Sequence, residues 1–402
     1  MSSTETQICD WLLAHRPDMV AFCQRLIRTP SVNGVDDEAH VARVIAEEAE
    51  RWDLPVQIMG EFPHRPNIIV STQDEGETGL LILGHLDTVP PGDPATWTHP
   101  PFAAVIDGER LYGRGAIDTK GGMAAAIYTL AALKAHPQAL GPGIRAQFIG
   151  VPDEETGATG TLGIRYLAAR GLIRAKGAIY AYSGSEIILG HRGLLRYRLR
   201  CTGKAIHTGS HEWQEKTAGA NAITGMARLL LALEAVPFSR STAPYFETFR
   251  TVVTPGTMIE GGVSINIVPP SCEALVDVRT TPGDDAPAME ALFDREIGRI
   301  TAAAPGLAFS YERLNEIPAS ISDPAATLFH VLADATREVR GVIPSMTVAG
   351  PANEGYLLIE QGIPTVCGFG PTGANAHADD EYVELKGLVE AAQIFALTAI
   401  RI

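Results

Sequence analysis

The run Gly79–Gly84, GLLILG, has no polar side chain along its length. A strand with one face in water alternates apolar and polar residues. A run without alternation reads as a strand buried on both faces, and a sheet covered on both faces needs helices above and below it. Comparable apolar segments fall at 67–71, 144–151 and 177–182. Helical patterns lie between them, at 120–136 and about 160–170. This alternation predicts an α/β fold with a mostly parallel sheet and helices on both faces. Two helices at 4–15 and 17–28, the second with Pro17 at a first helical position, and a third at 36–52 precede it.

The pattern changes after Gly193. Residues 195–201, LRYRLRC, alternate strictly, with Leu195, Tyr197, Leu199 and Cys201 on one face and Arg196, Arg198 and Arg200 on the other. A helix at 218–235, strands at 252–260 and 271–279, a helix at 287–303 and a strand at 307–313 follow. The β-α-β-β-α-β order predicts a smaller ferredoxin-like α+β domain. The chain thus reads as one α/β domain, residues 1–193 and 314–402, interrupted by an inserted domain at 194–313.

A net charge of −15 without a basic cluster argues against nucleic acid or an anionic membrane surface as partner. No stretch of 18 apolar residues predicts a membrane span, and the first residues do not fit a signal peptide. The five cysteines form no CxxC pair, and an odd number of scattered thiols suits a cytoplasmic protein. No Walker A, GxSxG or Rossmann fingerprint is present, and His207 and His211 do not form an HExxH motif.

Four segments carry candidate chemistry. GHLDTVP places His85 and Asp87 on one side of an extended chain. GRGAIDTKGG sets Asp118 in a turn before a helix, DEETG holds Asp153, Glu154 and Glu155, and GANAHADDE holds His377. Each lies near a strand end or in a Gly-rich turn, where open α/β sheets bind ligands. Mixed imidazoles and carboxylates suit Zn²⁺ or Mn²⁺.

In this order the four segments resemble the aminoacylase, glutamate carboxypeptidase and acetylornithine deacetylase family of metallopeptidases and metal-dependent amidohydrolases. The resemblance spans nearly the whole chain. It implies metal ligation by His85, Asp118, Glu155 and His377, with Asp118 bridging two ions. It also implies that Asp87 orients His85 and that Glu154 is the general base. In the inserted lid and dimerisation domain, TGKAIHTGS implies that His207 donates to the developing oxyanion, entering the partner's site in a homodimer. Asn266 in NIVPP and Arg279 in VDVRTTPG match positions that hold a substrate carboxylate, and a guanidinium suits that role. His191 in GHRG reads as structural.

The sequence departs from the family where a second-ion carboxylate is expected, twelve residues before Gly193. Ala181 stands there, in AYSG. One ion per chain is therefore favoured, with Glu186 or Ser183 as alternative ligands from a rearranged loop. The leading expectation is a metal-dependent hydrolase of a C–N bond in a small carboxylate-bearing substrate. The alternatives are a mononuclear hydrolytic deaminase of a carboxylated aromatic amine, nitroanthranilate in type, with Tyr182 supplying a ring beside the substrate, and a non-catalytic carboxylate-binding protein. GPANEGYLL carries Glu354 where relatives often show Asp.

Overall fold

Burial follows the apolar run. From Leu80 to Leu83 no residue is more than 1% exposed, and successive side chains point to opposite faces, so both faces of the strand Glu77–His85 are covered. In the computed structural model, which describes residues 1–402, this strand lies inside a six-stranded sheet. It runs parallel to Ile144–Val151 on one side and to Gly177–Tyr180 on the other. Thr365–Val366 extends the parallel set, and Arg65–Ser71 and Val56–Phe62 add two antiparallel strands at the opposite edge.

The helix Gly121–Ala135 is buried from Gly121 through Leu133, as expected of a helix apolar all round. Its small residues permit close approach to its neighbours. Thr129 donates to the carbonyl of Ala392 in the carboxy-terminal helix Leu385–Arg401 at 3.0 Å. Met123 packs against Gly84 of the sheet.

Residues Arg192–Ser320, with Gly350–Ala352, form a second unit. Its strands Gly193–Thr202, Val252–Gly261, Ser271–Thr280 and Ala308–Ile317 pair antiparallel in the spatial order 2-3-1-4. Helices Ala222–Glu234 and Ala286–Ala303 fall where the ferredoxin-like order requires. Leu195, Tyr197, Leu199 and Cys201 join Cys272, Ala274, Val276 and Val278 in its core. The arginines of the other face pair with acids, Arg196 with Asp277, Arg198 with Glu312 and Arg200 with Glu273. All five cysteines are buried and unpaired. No helix is long and apolar enough to cross a membrane.

Candidate metal centre

The three parallel strands end close to one level, with His85 opposite Val151 and Leu83 opposite Tyr180. The segments that leave them carry Asp87, the acids Asp153–Glu155, and Ala181–Tyr182. The sheet therefore delivers two of the four chemical segments, together with Ala181 and Tyr182, to its carboxyl edge, as open α/β sheets do.

Ligand atoms of His85, Asp118 and Glu155 lie within 4.8 Å of one another. His85 Nε2 is 2.8 Å from Asp118 Oδ1, and His377 Nε2 is 3.1 Å from Asp118 Oδ2 and 3.2 Å from Glu155 Oε1. Asp118 thus stands between two imidazoles. This donor set fits a divalent cation: two carboxylates and two imidazoles converge, with the imidazoles occupying the carboxylates as protonated partners do. Hydrogen bonds that His377 donates to Asp118 and then Glu155 raise its pKa to about 10. Burial favours neutral His85, but its contacts with Asp118 and Asp87 outweigh burial and raise its pKa. Burial pushes Asp118 up, and the bonds to His377 and His85 reverse that and hold it below the usual carboxylate range.

Asp118 is aimed by a residue that sequence reasoning did not assign. Buried Glu381 accepts from the backbone amides of Gly115, Ile117 and Asp118 at 3.0, 2.9 and 3.1 Å and from Arg114 at 2.7 Å. One carboxylate thereby orders the irregular turn Ala116–Lys120, which contains a cis Asp118–Thr119 peptide. The available signal was the last residue of AHADDE. His377, in the same segment, has a φ of 62°, a conformation that side-chain-bearing residues rarely adopt and that clusters at functional sites.

Asp87 was expected to orient the His85 ring through its carboxylate. Its backbone carbonyl is the nearer partner, at 2.9 Å from Nδ1, while Oδ1 is at 3.4 Å. The carboxylate also accepts from Asn33 at 2.5 Å and from the amides of Glu154 and Glu155 at 3.3 and 3.0 Å. Asp87 therefore joins the histidine strand to the acidic loop. Arg65 anchors that loop from outside, bonded to Glu38 at 2.8 Å and 3.4 Å from Asp153.

Glu154 is buried, and burial pushes its pKa up to about 8 against the opposing effect of His85. It accepts from the Tyr182 hydroxyl at 2.9 Å. Ala181 is fully buried, its amide bonded to Leu83 and its carbonyl lying against Gly122. Glu186, the alternative ligand, accepts from Ser345 at 2.7 Å. Buried Glu354 lies 3.5 Å from the Tyr180 hydroxyl and packs under Gly160 and Gly163 of the segment that follows the acidic loop. Burial first, and then the Glu154 charge, raise its pKa well above the ordinary value. His191 is buried with its ring edge-on to Tyr356.

In the second unit, His207 is exposed and accepts from the Gly209 amide at 3.0 Å, and it bridges to Ile267. The Asn266 carbonyl accepts from the Thr208 amide, so Asn266 and the His207 loop are neighbours. Arg279 is bonded to Asp277 on its own strand at 2.8 Å.

An α/β sheet with acids and histidines converging at its carboxyl edge, and a ferredoxin-like insertion, define a class of hydrolases. Residues 81–401 match the model of peptidase family M20/M25/M40, and the chain belongs to that family. It is a hydrolase acting on carbon–nitrogen bonds. A succinyl-diaminopimelate desuccinylase of Methylobacterium sp. (strain 4-46) is 32% identical over 393 residues, covering 94% of each chain. An M20 family metallo-carboxypeptidase of Sulfolobus solfataricus has the same fold, with a TM-score of 0.76 at 17% identity over 96% of this chain and 99% of that one. A dinuclear metal binding peptidase of the family from Bacillus subtilis aligns with a TM-score of 0.71 at 18% identity, over 96% of this chain and 98% of its own.

Proposed function

We propose that this chain hydrolyses the amide bond of a small, carboxylate-bearing acylamino acid, with one divalent ion, Zn²⁺ or Mn²⁺, held by Asp118, Glu155 and His377 and with His85 beside them. The observation that carries this reading is buried Glu154, adjacent in sequence to Glu155 and next to the cluster of His85, Asp118 and Glu155. An ion bound there polarises a carbonyl and acidifies a water. Glu154 accepts the proton of the attacking water and returns it to the departing nitrogen. Asp87 and Glu381 keep the acidic loop and the Asp118 turn in place. In the inserted unit, His207 is assigned to the oxyanion, and Asn266 and Arg279 to the substrate carboxylate. The desuccinylase relatives make N-succinyl-diaminopimelate the first substrate to try.

One ion, rather than two, is proposed because Ala181 offers no ligand and Glu186 is engaged by Ser345. Metal analysis after loading with Zn²⁺ tests this. One equivalent in the wild type and two in A181E are expected, and two in the wild type would reject the single-ion assignment. A second reading, hydrolytic deamination of a carboxylated aromatic amine, is favoured by the tyrosines beside His85, with Tyr180 and Tyr182 ring centroids 4.7 Å apart. A panel of acylamino acids, dipeptides and carboxylated aromatic amines separates the two by product.

The chain is further proposed to form a homodimer through the inserted unit. Its edge strand Val252–Gly261 leaves Met258 66% and Ile259 54% exposed, and Ile265 beyond it is fully exposed. Such an edge is a template for pairing.

A further inference from the structure

A catalytic side chain keeps its productive geometry only when packing and hydrogen bonds from its neighbours lock it in place. Oε1 of Glu154 is held by the Tyr182 hydroxyl at 2.9 Å. That hydroxyl sits on a phenol with little freedom. The ring packs against Tyr180 at 4.7 Å and against His85 at 5.6 Å between centroids. The backbone that carries it is closely confined. A Cβ on Gly122 would fall 2.0 Å from the Ala181 carbonyl oxygen, and one on Gly370 would fall 2.1 Å from that of Tyr182. The Tyr182 amide closes a tight turn onto the Tyr180 carbonyl at 2.8 Å. Two glycines, a turn and two aromatic neighbours therefore fix the phenol relative to the end of the sheet. Ala181 brings no carboxylate to this wall, so the phenol is the polar group it offers to Glu154.

We propose that Tyr182 is a positioning residue: its hydroxyl holds Oε1 of Glu154 so that Oε2 faces the attacking water. The proposal rests on Glu154 being the base, as set out above. It differs from a substrate-stacking role, in which the ring rather than the hydroxyl matters.

Three measurements on wild type, Y182F, E154Q and the double variant test it. Crystal structures of metal-free wild type and Y182F are expected to show the Glu154 carboxylate held toward residue 182 only in the wild type. Calorimetric titration with Zn²⁺ alone is expected to give affinities within twofold for wild type and Y182F. With N-succinyl-diaminopimelate as substrate, Y182F is expected to lower kcat ten- to hundredfold with KM within twofold, and to add no further loss to E154Q. An unmoved Glu154 in the Y182F crystal, an unchanged kcat, or a raised KM at constant kcat overturns the proposal. A wild type that binds Zn²⁺ yet turns over no member of the substrate panel overturns the assigned function instead, and the crystal comparison still decides the role of Tyr182.

Discussion

Glu381 shows how much one carboxylate can organise. It accepts from three backbone amides and from Arg114, itself 2% exposed. E381A strands a buried guanidinium and three amides, and breaking a buried pair in this way costs about 3–5 kcal/mol. Chemical unfolding of E381A is expected to show that loss, and Zn²⁺ titration a weakened site, because Asp118 loses its frame. E154Q contrasts with it. Removing the proposed base is expected to reduce kcat by about 10²–10⁴ with bound metal unchanged, measured by turnover and metal analysis on the same preparation. That His85, Asp118, Glu155 and His377 come together was legible in the sequence because their motifs are local. Asn33 and Arg65 were not, since each lies far along the chain from the group it contacts, Asp87 for one and Asp153 for the other.

At the level of elements, the helix Gly121–Ala135 starts with two glycines because it starts against other backbone. A Cβ at Gly121 would lie 2.5 Å from the Ala116 carbonyl oxygen, and Gly122 is tighter still. G122A is therefore expected to destabilise by about 1–3 kcal/mol or more, read as a lowered melting temperature, although alanine favours helices. The amino-terminal helix Ser3–Ala14 is tied to the carboxy-terminal helix through Glu5 and Arg401, 2.8 Å apart, and Arg401 also binds Glu338 at 2.9 Å. The Arg401 hydrogen bond lowers the Glu5 pKa from 4.5 to about 2. A depressed carboxylate pKa stabilises the fold above the unfolded value and loses that contribution as pH falls through the folded one. E5Q is thus expected to be less stable than wild type at pH 6, with the gap closing between pH 4.5 and 2, as thermal unfolding across that range would record. The buried strands were legible as uninterrupted apolar runs. Val56–Phe62 was not, because as a half-exposed edge strand it carries Gln57 and Glu61 and lacks a continuous apolar run.

For the molecule as a whole, the insertion is an independent sheet with its own core, and its free edge is where assembly is expected. I259E puts a charge on the exposed edge strand, a device that blocks edge pairing. Sedimentation is expected to give a dimer for wild type and a monomer for I259E, with the core unaffected because Ile259 lies outside it. The strand Ala308–Ile317 runs four residues past the expected end at 313, through a register shift between Arg313 and Asn315. A bulge of this kind carries no reliable mark in a single sequence.

Local order was written into the chain. The apolar runs, the change to strict alternation after Gly193 and the four acid and histidine motifs specify the strands, the inserted unit and the side chains offered at the sheet edge, because each depends on residues close together in sequence. Partnership was decided only in three dimensions. That Asp87 spends its carboxylate on Asn33 and two loop amides, that Glu381 frames Asp118, and that Tyr182 meets Glu154 through its hydroxyl all depend on strand order and on close backbone approach between distant segments. Such contacts are set by packing geometry across the fold, which no local pattern encodes.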